Sequence, residues 1–434
     1  MLMKSLIYIV ALLSIGILGG CSARQDSVSV SDIHTIDFIE AVENIEEIKL
    51  SEYFSSIEYT AVETLDRAYL GRIGTGYTCD EKNIYITSGD KMRCIHIFTR
   101  DGKYVGDIGS KGRGPGEYFG VRSMQIIPES NSLMVESGYK VVFYSLTDGK
   151  CIQEKNMGNF FGQNDAVKKL ESEARFNQIE LEHMSYNASI GTFIQLKNKV
   201  YASVTNQNTT DQYLLIMKSD LTIDTLITMR QSTIGLGMPM VLSSYIYTYD
   251  NKINILHALT DTVYTLHNKS LKPHIAIDYG KILTLSTMPQ IKNTDPVFSI
   301  TRGLVGKIAQ IYVTSNNIFT ETESFVIGSF YLPKDISESN NLQPFSQFIY
   351  DKHSRKTRMI KHSEEIHSGY FYNDIDGGMP FWPTKHIGNK LYQFVDAGTF
   401  IEMSKKYNSP RMKEIAATLT EESNPVIIEA TLKE

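Results

Sequence analysis

Two stretches of this chain repeat one another, and no other feature narrows its fold as far. "IYITSGDKMRCIHIFTRDGKYVGDIG", residues 84–109, aligns with "LMVESGYKVVFYSLTDGKCIQEKNMG", residues 133–158, once the second drops two residues ahead of its aromatic strand. Asp101-Gly102 and Asp148-Gly149 then fall 47 residues apart, inside the span of roughly 40–50 residues of a propeller blade. Each copy reads as strand, turn, strand, Asp-Gly hairpin, strand. Such a unit cannot cover its own apolar faces, so its copies must pack on one another.

Weaker copies follow at 199–229, 252–280, 310–362 and 380–397. Six units predict an all-β protein, a six-bladed β-propeller with four-stranded blades, whose ring leaves only short sheet edges. Residues 45–64 and 424–434 complete no unit of their own, so strands from both ends are expected to finish one blade. Helical periodicity is confined to 165–184 and 409–423, two stretches expected to decorate the sheets.

The chain opens with Lys4, then the apolar run "SLIYIVALLSIGIL", then "LGGC" ending at Cys21. A basic residue, an apolar core and small residues before a cut site describe an export signal. The run is shorter than the roughly 20 residues that a spanning helix prefers. The expected organisation is a signal peptide over 1–20, a flexible polar tether over 21–45 and the propeller over 46–434. "LGGC" resembles a bacterial lipobox. The resemblance implies a covalent diacylglycerol on Cys21, a membrane partner reached through that anchor and, with Ser22 next, the outer membrane.

Net charge is −6, from 43 basic and 49 acidic side chains, which supplies no field for a phosphate backbone and excludes nucleic acid as an expected partner. Cys79, Cys94 and Cys151 show neither CxxC nor metal-ligand spacing. Cys79 and Cys94 flank a turn and could face one another, but three buried thiols are expected. No metal and no cofactor beyond the lipid is expected.

"GSKGRGPGEY", residues 109–118, lies between an expected outer strand and the next inner one. It lacks the GxxxxGK[ST] of a phosphate loop and a GxGxxG opening a helix. Its glycines are therefore expected to turn a corner near the crowded axis. This stretch is similar to NHL-type repeats, in which a Gly-rich turn ending Gly-Glu-aromatic precedes each inner strand. With "DTVYTL" (261–266), "PHIAIDYG" (273–280), "NDIDGGMPFWP" (373–383) and "ESNPVIIEATLK" (422–433), the chain resembles the six-bladed, NHL-like or TolB-like propeller lipoproteins of Gram-negative gut bacteria. That resemblance implies an envelope location and a propeller, and names no ligand.

The expected function is non-catalytic binding of a glycan, peptide or envelope protein at the end of the ring where blades are joined. Arg113, Glu117, Asp374 and Asp376 are the candidate polar contacts there and Trp382 the candidate stacking platform. For each, a structural role in the corner or core competes with binding. The alternative is a metal-dependent lyase or a lactone hydrolase using the channel. No HxH, HExxH or GxSxG accompanies the ten histidines to support it. Ser27, in the triplet "DSV", is a candidate O-glycosylation acceptor.

Overall fold

The computed structural model describes residues 33–433 apart from 72, 89–93, 138–139, 157–187, 207–211, 231–243, 258–259, 283, 285–308, 312, 314–317 and 363–368. The expected export signal over 1–20, Cys21, Ser27 and the expected helix over 165–184 lie outside the described residues.

Six antiparallel sheets follow one another along the chain as six blades. Blade 1 is Ile73–Cys79, Asn83–Ser88, Ile95–Thr99 and Tyr104–Ile108 from inner to outer edge. Blade 2 is Ser123–Ile127, Ser132–Ser137, Lys140–Ser145 and Cys151–Asn156, and blade 3 is Ala188–Leu196, Lys199–Asn206, Gln212–Lys218 and Ile223–Arg230. Blade 4 runs Tyr245–Tyr249, Lys252–Leu256, Thr262–His267 and Ser270–Asp278. Blade 5 has a divided inner edge, Gln310–Ile311 and Thr320–Glu321, then Phe325–Tyr331, Phe345–Asp351 and Lys356–Ile360. The Asp-Gly pairs do turn the hairpins, with φ of +86° at Gly102 and +70° at Gly149.

Blade 6 joins the two ends of the sequence. Lys385–Ile387, Lys390–Val395 and Val426–Leu432 come from the C-terminal part, and Phe54–Ala61 supplies the outer strand, with Tyr59 opposite Ile428. The shared blade expected from the two unpaired termini is thus present.

Alternation along each strand sends side chains to the seams on either side of a blade. In blade 2, Leu133, Val135, Val142 and Tyr144 pack with Tyr85, Ile95 and Ile108 of blade 1. Met134, Val141 and Phe143 pack with Phe193, Val200 and Leu215 of blade 3. The described core divides into six such clusters, one per seam, so no blade has a core of its own.

The chain is ordered well before Glu46, which corrects the tether expected over 21–45. His34–Asp37 adds a parallel fifth strand to blade 4, helix α1 (Phe38–Glu43) crosses the next seam, and Ile45–Glu46 adds a parallel strand to blade 5. Asp37 caps α1, accepting from the Glu40 amide at 2.9 Å. Ile36, Phe38, Ala41 and Val42 are buried in the core between blades 4 and 5. A polar start hid this segment, because its four buried side chains are spread over both a strand and a single helical turn. Residues 34–61 therefore form a belt over the outer edges of blades 4, 5 and 6.

The helix expected over 409–423 is shorter. It comprises α4 (Pro410–Ala416), capped by Ser409 with Pro410 in its first turn, and is preceded by α3 (Ala397–Lys406), capped by Asp396. Helix α2 (Lys334–Ser339) lies between the second and third strands of blade 5. Strand polarity sets these helices and the blade-to-blade connections at one end of the ring. At the other end, the inner strands turn back through short hairpins such as Leu196–Lys199 and Tyr249–Lys252.

Candidate functional site

The connection from blade 1 to blade 2 is built as a corner. Ser110–Lys111 and Glu117–Tyr118 pair in parallel, and Gly109 and Gly116 take φ of +65° and +69°. Glu117 accepts from the Gly114 amide at 2.8 Å and fills the space that a Cβ on Gly112 would need. Lys140 donates to the carbonyls of Gly114 (2.9 Å) and Glu117 (3.1 Å), while Glu154 accepts from the Gly116 amide at 2.6 Å and pairs with Lys140. Those contacts hold the Glu154 carboxyl below its usual range. The amides of Gly112, Gly114, Gly116 and Glu117 are thus taken up internally, as a corner requires and a phosphate cradle forbids.

Arg113 does not share in this bracing. Its guanidinium lies 5.6 Å from the ring of Phe119, and Lys111 lies 5.7 Å from the same ring. Phe119 is 65% exposed, the highest exposure among the large apolar side chains described. Neither cation forms an ion pair with a described residue. Phe119 and Lys111 were not singled out in the sequence. The signal was the pair Tyr118-Phe119, of which only Tyr118 turns inward, donating to the Ile108 carbonyl at 3.0 Å.

The other expected contacts lie on the connection from blade 5 to blade 6 and are engaged in the fold. Asp374 accepts from the amide (2.9 Å) and hydroxyl (2.6 Å) of Ser51 and so fastens the belt. Asp376 accepts from Tyr59, Asn373, the Gly378 amide and the Ser409 hydroxyl, joining blade 6 to the start of α4. Trp382 is 8% exposed and stacks on Phe371 at 5.9 Å, so it is core rather than platform. Burial corrects the expected platform role of Trp382, while Asp374 and Asp376 are engaged in bracing the fold. Polar and aromatic residues beside glycine serve equally to brace a loop or to meet a ligand, and spacing does not separate the two.

All six inner strands line a central cavity of about 1880 Å³. Its buried carboxylates are matched. Glu321 accepts from Tyr247 (2.7 Å), His274 (2.8 Å) and Lys352 (2.8 Å) at the seam between blades 4 and 5. Glu136 accepts from Ser123 at 2.8 Å, and burial pushes its carboxyl up. Lys385, at the start of the innermost strand of blade 6, meets no described carboxylate. Burial pushes its ammonium down, opposed in part by Cys79. None of the three cysteines is in a disulfide, and only Cys79 is fully buried, against the three buried thiols expected.

A family model described as a domain of unknown function, DUF4934, matches residues 33–431. The chain belongs to that family. The match begins where the belt begins and ends within the closing strand, so the DUF4934 unit coincides with the described propeller. Among solved structures, the DUF4934 chain is similar to a candidate exported protein of Bacteroides fragilis, at 15% identity and a TM-score of 0.61 over 93% of this chain and 100% of that one. A DUF4221 protein of Bacteroides vulgatus aligns at 9% identity and a TM-score of 0.44, over 90% and 98% of the two chains. No curated protein sequence matches the chain. Likeness at this identity carries the fold and leaves the ligand to the residues themselves.

Proposed function

We propose that the protein is an exported lipoprotein, held at the outer membrane through Cys21, whose NHL-like propeller binds an anionic glycan or acidic peptide without catalysis. The observation that carries the binding reading is the exposed Phe119 ring with Lys111 and Arg113 beside it, on the end of the ring that bears the blade-to-blade connections. An exposed cation–aromatic contact stabilises by only about 0.5–1 kcal/mol, too little to explain so large an exposed apolar face as a folding device. Two cations with no anionic partner among the described residues, beside a flat ring, suit a sugar or aromatic side chain that also carries carboxylate or sulfate.

The test is binding of the purified protein to an array of acidic and neutral glycans and peptides. The Phe119→Ala and Arg113→Ala variants should each bind at least tenfold more weakly while melting as the wild type does. Unchanged binding in the double variant would overturn the site. The anchor is tested separately, since Cys21→Ser should move the protein out of the detergent phase. Unaltered partitioning would sink the lipoprotein reading without touching the site.

A further inference from the structure

Blade 1 holds a cluster that neither the corner nor the channel uses. Cys94 and His96 are two apart at the start of the third strand, so strand alternation places them on one face. Asp107 of the outer strand is the residue directly opposite His96. Their ligand atoms all lie within 4.8 Å of one another. The thiol of Cys94 is 3.6 Å from Nδ1 and 3.8 Å from Nε2 of His96, and Nδ1 is 2.7 Å from the Asp107 carboxylate.

We propose that Cys94, His96 and Asp107 form a binding site for a thiophilic divalent cation of the zinc class. Bond lengths of about 2.3 Å to sulfur and about 2.0 Å to nitrogen put those two ligands roughly 3.5 Å apart around a tetrahedral ion, and the observed separation is 3.6 Å. The nitrogen and carboxylate oxygen, at hydrogen-bond distance of 2.7 Å, are closer than a tetrahedral edge of roughly 3.3 Å. Replacing that hydrogen bond with the ion requires a rotation of the Asp107 carboxylate, whose side chain is 37% exposed, and a swing of the Cys94 thiol toward Nδ1, since it stands nearly equidistant from the two ring nitrogens. The His96 ring, 4% exposed, is already fixed by the strand and by Phe98 and Tyr104 around it. On binding, the thiol loses its proton to solvent and the imidazole proton moves by solvent exchange from Nδ1 to Nε2, so the ring ligates through Nδ1 as the neutral tautomer. Thiolate and imidazole together favour zinc, cobalt or copper over magnesium or calcium. Three protein ligands leave a fourth position on the Asp107 side open to water. Asp107 stands two residues before Gly109, so the bound ion sits at the foot of the corner that carries Phe119.

Cobalt(II) tests the site directly. The full chain, purified in detergent and stripped with chelator, should take up one equivalent of cobalt. It should then show sulfur-to-cobalt charge transfer in the near ultraviolet and the intense visible bands of a tetrahedral ion. Cys94→Ser should abolish the charge transfer, and His96→Gln and Asp107→Asn should each weaken uptake at least tenfold. Cys79→Ser and Cys151→Ser should change nothing. Circular dichroism of each apo variant reports whether the blade is intact. No charge transfer in the wild type, or charge transfer that survives Cys94→Ser and disappears with Cys151→Ser, would overturn the proposal.

Discussion

At the scale of single residues, the glycines of the corner are not equivalent, although the sequence presents them alike. A Cβ on Gly109 would lie 2.6 Å from the Tyr118 ring and 2.7 Å from the Tyr144 hydroxyl, at a φ of +65°. A Cβ on Gly116, at a φ of +69°, would meet that of Cys151 at 3.0 Å. One on Gly114 would meet only the end of the Glu117 side chain, at 3.1 Å. Gly109→Ala and Gly116→Ala are therefore expected to lower stability by about 1–3 kcal/mol, and Gly114→Ala by less, as read from urea unfolding midpoints. Lys385 makes a prediction of the opposite sign. Its folded pKa is depressed by burial, so holding it charged in the folded chain costs stability. That cost fades as pH rises toward the usual lysine value. Lys385→Met should raise the melting temperature at pH 7, and the gain should shrink at alkaline pH. A variant that melts lower at pH 7 would show an anionic partner for Lys385 in the channel.

At the scale of elements, the hairpins were legible because alternation and Asp-Gly pairs are local, whereas the belt depends on partners hundreds of residues away. Ile36 and Phe38 carry no periodic signal, yet both are fully buried once blade 5 is beside them. The site was legible to the same extent. Sequence located the corner and Arg113, but that Asp374 meets Ser51 and Asp376 meets Tyr59 and Ser409 is a tertiary fact. Deleting residues 22–32 should leave melting unchanged. Extending the deletion to residue 44 should lower it sharply, since that removes the buried Ile36, Phe38, Ala41 and Val42. The seam between blades 4 and 5 also carries an acid limit. Burial opposes ionisation of Glu321, but the bonds from His274 and Lys352 outweigh it and hold its carboxyl below the usual range. This contribution is complete above the ordinary glutamate pKa of about 4.3 and is lost as pH falls through the lower folded value. Glu321→Gln should therefore flatten the dependence of stability on pH in that acid window. An unchanged slope would show that other carboxylates set it.

At the scale of the whole molecule, six seams share the core, so losing one blade exposes two apolar faces and unfolding should be all-or-none. Ending the chain at Ser423 removes Val426–Leu432, which lies between Lys390–Val395 and Phe54–Ala61. It also removes Glu429, which bonds to both Arg100 and Lys390. That truncation is expected to be insoluble or molten, and a cooperative melt near that of the full chain would contradict closure as the source of rigidity. The pairing of Tyr59 with Ile428 also governs the rate of folding. Closing a loop of about 370 residues costs on the order of 5 kcal/mol of chain entropy, and nothing repays it until the last strand is made. A chain synthesised from its N-terminus presents the belt first, with no blade 4, 5 or 6 to receive it. Folding must proceed through an open arc of blades with a waiting N-terminal strand. The high contact order this imposes makes ring closure the slow step and the open arc the species most prone to aggregate.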